Sequence, residues 1–262
     1  MTESSLFTIT FAFYIGSVLV HFASLFARRE KWARGGLMLA VAGFAFHTAA
    51  IVARTASSGH APFTNMYESL SFLAWSMVLA LIIFGRKSRV PRLAPYLMLI
   101  VVALVALASS PLMPKGATPL VPALQSYWLW LHVSVTLLGE AFFAVAFIAS
   151  LLFLAADTEE KKDRLDALSY RAVAVGFPLF TLGGLVFGMV WAYRAWGRYW
   201  GWDPKEVWSL ITWIVFALYL HTRIVMGWKG KRSAVIAIIG FLAALFTYFG
   251  VNYLLSGLHS YA

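Results

Sequence analysis

The sequence predicts an all-α polytopic integral membrane protein with about eight transmembrane helices and both termini on the non-cytoplasmic side. Three observations carry this reading. Of the 262 residues, 61% are hydrophobic and 12% charged, too little charge to cover the surface of a soluble domain of this size. Long apolar runs recur along the whole chain. Basic residues gather in alternate connections between those runs, as they do in cytoplasmic loops.

A helix needs roughly 20 apolar residues to cross the hydrocarbon core, which selects about eight runs: 6–27, 35–56, 66–84, 93–109, 127–156, 171–193, 206–227 and 233–256. The first has neither a basic flank nor a small-residue cleavage site, so it reads as a retained helix and not a cleaved signal. Arg28, Arg29, Lys31 and Arg34 follow it. The second leads into a connection holding His60, and the third is followed by Arg86, Lys87, Arg89 and Arg92. The fourth run is short and the fifth long, so their ends are the least sharply defined. A mixed-charge connection, Asp157 to Arg171, separates the fifth from the sixth. Arg223, Lys229, Lys231 and Arg232 follow the seventh. No internal repeat is evident, and residues 1–262 read as a single membrane domain with an external Trp-rich loop at 194–206.

The net charge of +10 does not point to nucleic acid here, because the basic residues sit in the connections expected to face the cytoplasm. There is no cysteine. The chain therefore has no disulfide, thiolate metal site or thiol nucleophile of its own.

Six of the 11 tryptophans lie between Trp191 and Trp213. Arg198, Asp203, Lys205 and Glu206 are interleaved with them. Interfacial aromatic belts also use Trp, but they are spread over many helices. A flat indole surface edged by charge suits a large flat ligand with an anionic edge, and haem is such a ligand. Within the segment, Asp203 reads as a helix N-cap, Pro204 as the first helical residue and Glu206 as the return partner of a capping box.

The six histidines sort by depth. His132 lies near the outer end of the fifth run, and His259 just beyond the outer end of the eighth. Both fall on the side of the Trp loop, where two neutral imidazoles could ligate one haem iron. His221 is about 15 residues along the seventh run, roughly 22 Å from its start, and cannot share that iron. His21 and His47 read as satisfied core histidines, and His60 as a loop residue near Arg54. Glu140 is an intramembrane carboxylate about two turns below His132, open to being paired, protonated or part of a polar path.

Trp196-Gly-Xaa-Xaa-Trp200-Xaa-Trp202-Asp203-Pro-Lys-Glu-Xaa-Trp208, then Leu-Ile-Thr-Trp213 and Tyr-Leu-His221-Thr-Arg223, resembles the CcsA (ResC) family. This is the haem-handling membrane subunit of System II cytochrome c biogenesis. Gly59-His60-Xaa-Pro62-Xaa-Xaa-Asn65-Xaa-Tyr67-Glu68-Ser69-Leu70, Leu131-His132-Val133-Ser134 and Ser256-Gly257-Leu258-His259-Ser260 fit as well. The resemblance runs from about Arg54 to the C-terminus.

It implies a protein of the bacterial inner (plasma) membrane. Such a protein takes haem b from the cytoplasmic side and presents it outside for thioether attachment to the Cys-Xaa-Xaa-Cys-His segment of apocytochrome c. It implies holocytochrome c synthase activity together with a CcsB (ResB)-type subunit, with a thioredoxin-like thiol reductant acting indirectly. His132 and His259 correspond to outer iron ligands and His221 to a transmembrane ligand. Trp196, Trp200, Trp202 and Asp203 correspond to the haem-binding WWD motif, with Trp208, Arg54 and His60 as further haem contacts. Glu140 stands where many members carry tyrosine. Two other readings stay open: a haem exporter or chaperone of the CcmC type without ligation activity, and a di-haem electron-transfer cytochrome b. The Asp-Pro-Lys-Glu-Xaa-Trp continuation favours CcsA over the first. The second would need two helix-borne histidine pairs and no solvent-facing Trp loop.

Overall fold

The structure is a computed structural model that describes residues 2–27, 29–85, 93–113, 115–116, 120, 122–255 and 257. The described residues are helical or irregular, with no strand among them. Among the described residues, seven helices are long and apolar enough to cross a membrane, and a further apolar helix, Leu93–Ser109, is shorter. The chain divides into two compact units, Met1–Thr118 and Pro119–Ala262.

The first unit contains α1 (Glu3–Ala27), α2 (Glu30–Ser58), α3 (Met66–Gly85) and α4 (Leu93–Ser109). α1 buries Phe7, Thr10, Tyr14, Ser17, His21 and Ser24, a three–four spacing that lies along one face. α2 answers with Gly36, Ala40, Gly43, His47, Ala50 and Arg54. The small residues allow a close approach. A Cβ on Gly36 would come within 2.8 Å of the His21 ring, and one on Gly43 within 2.7 Å of Tyr14. Leu70, Met77 and Leu81 of α3 and Leu97, Met98 and Val101 of α4 are buried in the same unit. α2 starts at Glu30, earlier than the apolar pattern suggests, because its charged first turn is helical as well. It ends on Gly59, whose φ of 74° is open to glycine at little cost, with the Gly59 N–H donating to Thr55 O.

The second unit contains α5 (Tyr127–Leu154), α6 (Glu159–Phe180), α7 (Gly188–Trp196), α8 (Pro204–Ile224), α9 (Lys231–Leu245) and α10 (Val251–Leu254). A π-helical segment, Thr181–Phe187, joins α6 to α7, so Glu159–Trp196 forms one long helical rod. Pro178 lies just before it inside α6. A proline removes one backbone donor and crowds the preceding turn, a known cause of such bulges. A second π segment, Phe246–Gly250, joins α9 to α10.

The mixed-charge stretch expected as a connection is instead the first turns of α6. Thr158 caps that helix, and its Oγ1 accepts from Lys161 N. The charges pair along the helix: Lys161 with Asp157, Lys162 with Glu159, and Arg164 with Glu160. Alternating charge thus marked a solvated helix face and not a loop. α5 packs on the rod through glycine. A Cβ on Gly139 would meet Phe180 N at 2.8 Å, and one on Gly183 would meet Thr136 N at 2.4 Å.

Candidate functional site

The Trp loop occupies only Gly197–Asp203 between α7 and α8. Gly197 ends α7 with φ 73° and donates its N–H to Tyr193 O. Asp203 begins α8 as the expected N-cap, with Pro204 at the first helical position. Asp203 Oδ1 accepts from Lys205 N at 3.0 Å. Glu206 Oε2 accepts from Asp203 N at 3.1 Å and from Gly201 N at 2.8 Å. One carboxylate therefore holds two loop N–H groups, pinning the loop to the helix that follows. Trp202 has φ 57°, the one non-glycine positive φ among the described residues.

The aromatic side chains divide by exposure. Trp202 is 71% exposed and Tyr199 55%. Trp202 meets Trp200 edge-on, with centroids 5.8 Å apart, and Tyr199 stacks on Tyr193 at 4.5 Å. Trp208 packs on Phe246 of the second π segment. Trp191 is buried and donates Nε1–H to Ala123 O at 2.9 Å. Trp196 meets the Trp191 ring edge-on at 4.8 Å.

His132 joins this aromatic group from α5. Its ring lies parallel to Trp191, at 7° and 5.7 Å between centroids. Its Nδ1 is 2.8 Å from Gly183 O. A carbonyl oxygen only accepts, so Nδ1 carries the proton and donates, and a neutral ring then has its lone pair on Nε2. A carbonyl that accepts from one ring nitrogen fixes the tautomer and orientation in this way in many metal-binding histidines. Gly183 belongs to the π segment, and its carbonyl also accepts the Gly188 N–H. A Cβ on Gly188 would sit 3.0 Å from the His132 ring. The imidazole is thus seated on a glycine-lined bulge.

Beneath the loop, Lys205 Nζ donates to Asn252 Oδ1 at 2.9 Å. The Lys205–Asn252 bond links α8 to α10. Glu140 is buried in α5. His259 lies outside the described residues. Gly257, two residues earlier, sits against the start of α8, where an added Cβ would meet Asp203 Oδ2 at 2.6 Å.

His221 stands in the last turn of α8 and is exposed. It is 18 positions from Asp203, about 27 Å along the helix axis at 1.5 Å per residue. The structure does not bring it to His132. In the first unit, His47 is a satisfied core histidine, as expected. Tyr14 Oη lies 3.1 Å from its Nδ1 and Ser71 Oγ 2.9 Å from its Nε2. His21 departs from that expectation. It is buried, and neither ring nitrogen has a hydrogen-bond partner among the described residues. Arg54 is buried in an ion pair with Glu68 at 2.9 Å, with Glu3 at 3.5 Å. His60 is buried in the turn after α2, its Nδ1 3.0 Å from Ala61 O.

Gly183 and Gly188 were not singled out from the sequence, and Trp191 only as the edge of the Trp cluster, although all three pack at His132. The small residues of the sixth run were a usable signal for close helix contact. Nothing in the sequence showed that a π bulge would turn the Gly183 carbonyl toward the imidazole.

Residues 63–259 match the family profile described as "Cytochrome C assembly protein". The "Cytochrome c biogenesis protein CcsA" of Chlamydomonas reinhardtii is 44% identical over 227 residues, covering 80% of this chain. The chain spans 64% of that protein's length. The CcsA protein of Synechococcus sp. (strain CC9605) is 40% identical over 261 residues, covering 86% of this chain and 85% of that protein. The solved structure titled "Cytochrome c Heme Lyase CcmF" superposes with a TM-score of 0.72 at 18% identity. That likeness covers 95% of this chain and 47% of the other, and it concerns the fold alone. From matches over most of its length, the chain belongs to the CcsA family of cytochrome c biogenesis proteins.

Proposed function

We propose that the chain handles haem b as substrate, holds it at the Trp loop and presents it for attachment to apocytochrome c, acting with a CcsB-type subunit as a holocytochrome c synthase. The observation that supports this reading is the His132 Nδ1–H donation to Gly183 O, since a neutral imidazole fixed in that tautomer carries its lone pair on Nε2, the form that ligates iron. His259 is the proposed second axial ligand. Trp196, Trp200, Trp202 and Trp208 offer faces and edges for the porphyrin, and Asp203 fixes where the loop turns into α8. Arg54 and His60 are assigned to haem handling on the resemblance of their segment alone. The buried ion pair of Arg54 fits a role in shaping residues 59–68.

The chemistry asks little of the chain beyond placement. Each substrate thiol adds its S–H across a haem vinyl group, with sulfur bonding to one vinyl carbon and the proton to the other. The thiols come from the substrate, kept reduced indirectly by a thioredoxin-like protein, since this chain has no cysteine. Orientation and proximity are then the protein's main contribution. His221, exposed at the far end of α8, is proposed to ligate haem at a second position with a ligand from the CcsB-type subunit. The reading also places the chain in the bacterial plasma membrane with residues 194–206 extracytoplasmic.

Co-expression with a CcsB-type subunit and a Cys-Xaa-Xaa-Cys-His reporter tests it. His132→Gly and His259→Gly should each lower covalent haem on the reporter, with partial recovery on adding imidazole. Wild-type attachment in the double variant without imidazole would remove the outer site. Haem loading without any thioether formation in the wild type would instead favour an exporter of the CcmC kind.

A further inference from the structure

The first unit contains buried polar groups whose hydrogen-bonding capacity its ion pairs do not exhaust. Arg54 is more than nine-tenths buried, and its Nη2 has no hydrogen-bond partner among the described residues. Its Nε is bound to Glu68, and its Nη1 faces Glu3. Glu68 Oε2 is held by the Thr64 N–H and hydroxyl, and Glu3 Oε1 accepts from Tyr67 Oη. A small cavity of about 10 Å³ opens between Glu3, Ala50, Arg54, Tyr67, Glu68 and Ser71. That is about the space one water needs, and a buried water needs two to four polar partners.

The far wall of this cavity begins a hydrogen-bonded chain. Ser71 Oγ is 2.9 Å from His47 Nε2, and His47 Nδ1 is 3.1 Å from Tyr14 Oη. Tyr14 and His47 are fully buried. Ser71 lines the cavity on one side and meets the imidazole on the other. It can donate one proton while accepting another.

We propose that the first unit binds one ordered water between Arg54 Nη2 and the Ser71 hydroxyl, and that this water connects the Glu3–Arg54–Glu68 cluster to the buried His47–Tyr14 pair as a proton inlet. Arg54 Nη2–H donates to the water oxygen, and the Glu3 and Glu68 carboxylates lie around it as acceptors. Glu3, whose side chain is 23% exposed, is the contact with solvent. A proton passes from the water to Ser71 Oγ as the Ser71 proton passes to His47 Nε2. The imidazole gains one positive charge, and the water is reprotonated from solvent at the Glu3 end. Ionisable chains of this kind inside helical membrane proteins mark proton routes. The inlet is built from residues of α1, α2 and α3, and its test reads water access without haem.

The absence of cysteine makes the test direct. In the reconstituted full chain, Ser71→Cys introduces one thiol, whose infrared S–H band converts to S–D in heavy water when water reaches it. Ser76→Cys is the control, since Ser76 is 1% exposed on the same helix and does not line the cavity. The S71C thiol should convert at least about tenfold faster than the S76C thiol, because exchange reports access. Ala50→Val, which narrows the cavity, should remove most of that difference. Equal slow conversion of both thiols overturns the inlet. If S71C does not fold, hydrogen–deuterium exchange at the imidazole C2 position of the unaltered protein is the second readout. His47 should exchange faster than the equally buried His21, and Ala50→Val should slow His47 alone. Equal rates for the two rings, unaffected by Ala50→Val, likewise overturn it.

Discussion

Trp202 holds its backbone at φ 57° while its side chain is 71% exposed. A bulky residue in that region costs on the order of 1–3 kcal/mol. Its edge-on contact with Trp200 returns about 0.5–1.5 kcal/mol. Trp202→Gly removes both, so the melting temperature should move little while haem retained per purified protein falls. Trp202→Ala keeps the strain and loses the contact, so it should be the less stable of the two. A glycine variant that retains haem as well as wild type would assign Trp202 no part in binding. A similar separation applies at the bulge. Gly183→Ala puts a methyl 2.4 Å from a backbone nitrogen of α5 that cannot give way. It should cost about 1–3 kcal/mol and move the acceptor of His132. Gly184→Ala meets only the Phe180 ring at 3.4–3.5 Å and should leave haem content near wild type. Equal haem content in the two variants would detach the bulge from the site.

At the scale of the element, the capping box does two jobs. Asp203 ends the loop, and Glu206 holds Gly201 N and Asp203 N together. Asp203→Ala should cost about 0.5–2 kcal/mol, whereas Asp203→Ser keeps the cap. If haem retention follows the cap, the serine variant behaves as wild type; if it follows the charge, both fail. Thermal unfolding and haem content at equal expression separate the two. Glu206→Ala releases two loop N–H groups at once and should loosen the loop more than loss of the Asp203 cap. The Arg223–Asp166 pair offers a contrast at the other end of α8. Arg223 Nη1 and Nη2 both reach the Asp166 carboxylate, which also accepts from Gly230 N. Breaking a pair this buried by Asp166→Ala should cost about 3–5 kcal/mol in thermal stability. Breaking the exposed pair Arg164–Glu160 should cost at most about 1 kcal/mol.

At the scale of the whole molecule, apolar side chains face outward. Leu19, Met38 and Val52 in the first unit, and Ile214, Ile239 and Leu242 in the second, are half or more exposed. Lipid accounts for that surface in a protein of this composition. His221 lies on such an exterior, so a partner subunit can reach it. His221→Ala should leave thermal stability unchanged, because the residue is exposed. In the presence of a CcsB-type subunit it should sharply lower cytochrome maturation, while His21→Ala should not. Wild-type maturation in His221→Ala would make this histidine structural and end the two-position scheme.

Local chemistry settled much of this protein before any fold was known. Apolar length located the membrane-spanning helices, because backbone satisfaction in lipid leaves a helix as the way across. Asp203, Pro204 and Glu206 announced the start of α8, since a cap depends only on neighbours in sequence. The Trp cluster and the depth of His221 were legible for the same reason. Contacts between distant segments decided the rest. Charge alternation at 157–171 fits a loop or a solvated helix equally well, and packing of Leu165, Leu168 and Ala172 settled it as helix. His21 and His47 look alike in sequence, yet only His47 meets Tyr14 and Ser71 across helices. The tautomer of His132 depends on a carbonyl 51 residues away, turned toward it by a π bulge and reachable because Gly183 has no side chain.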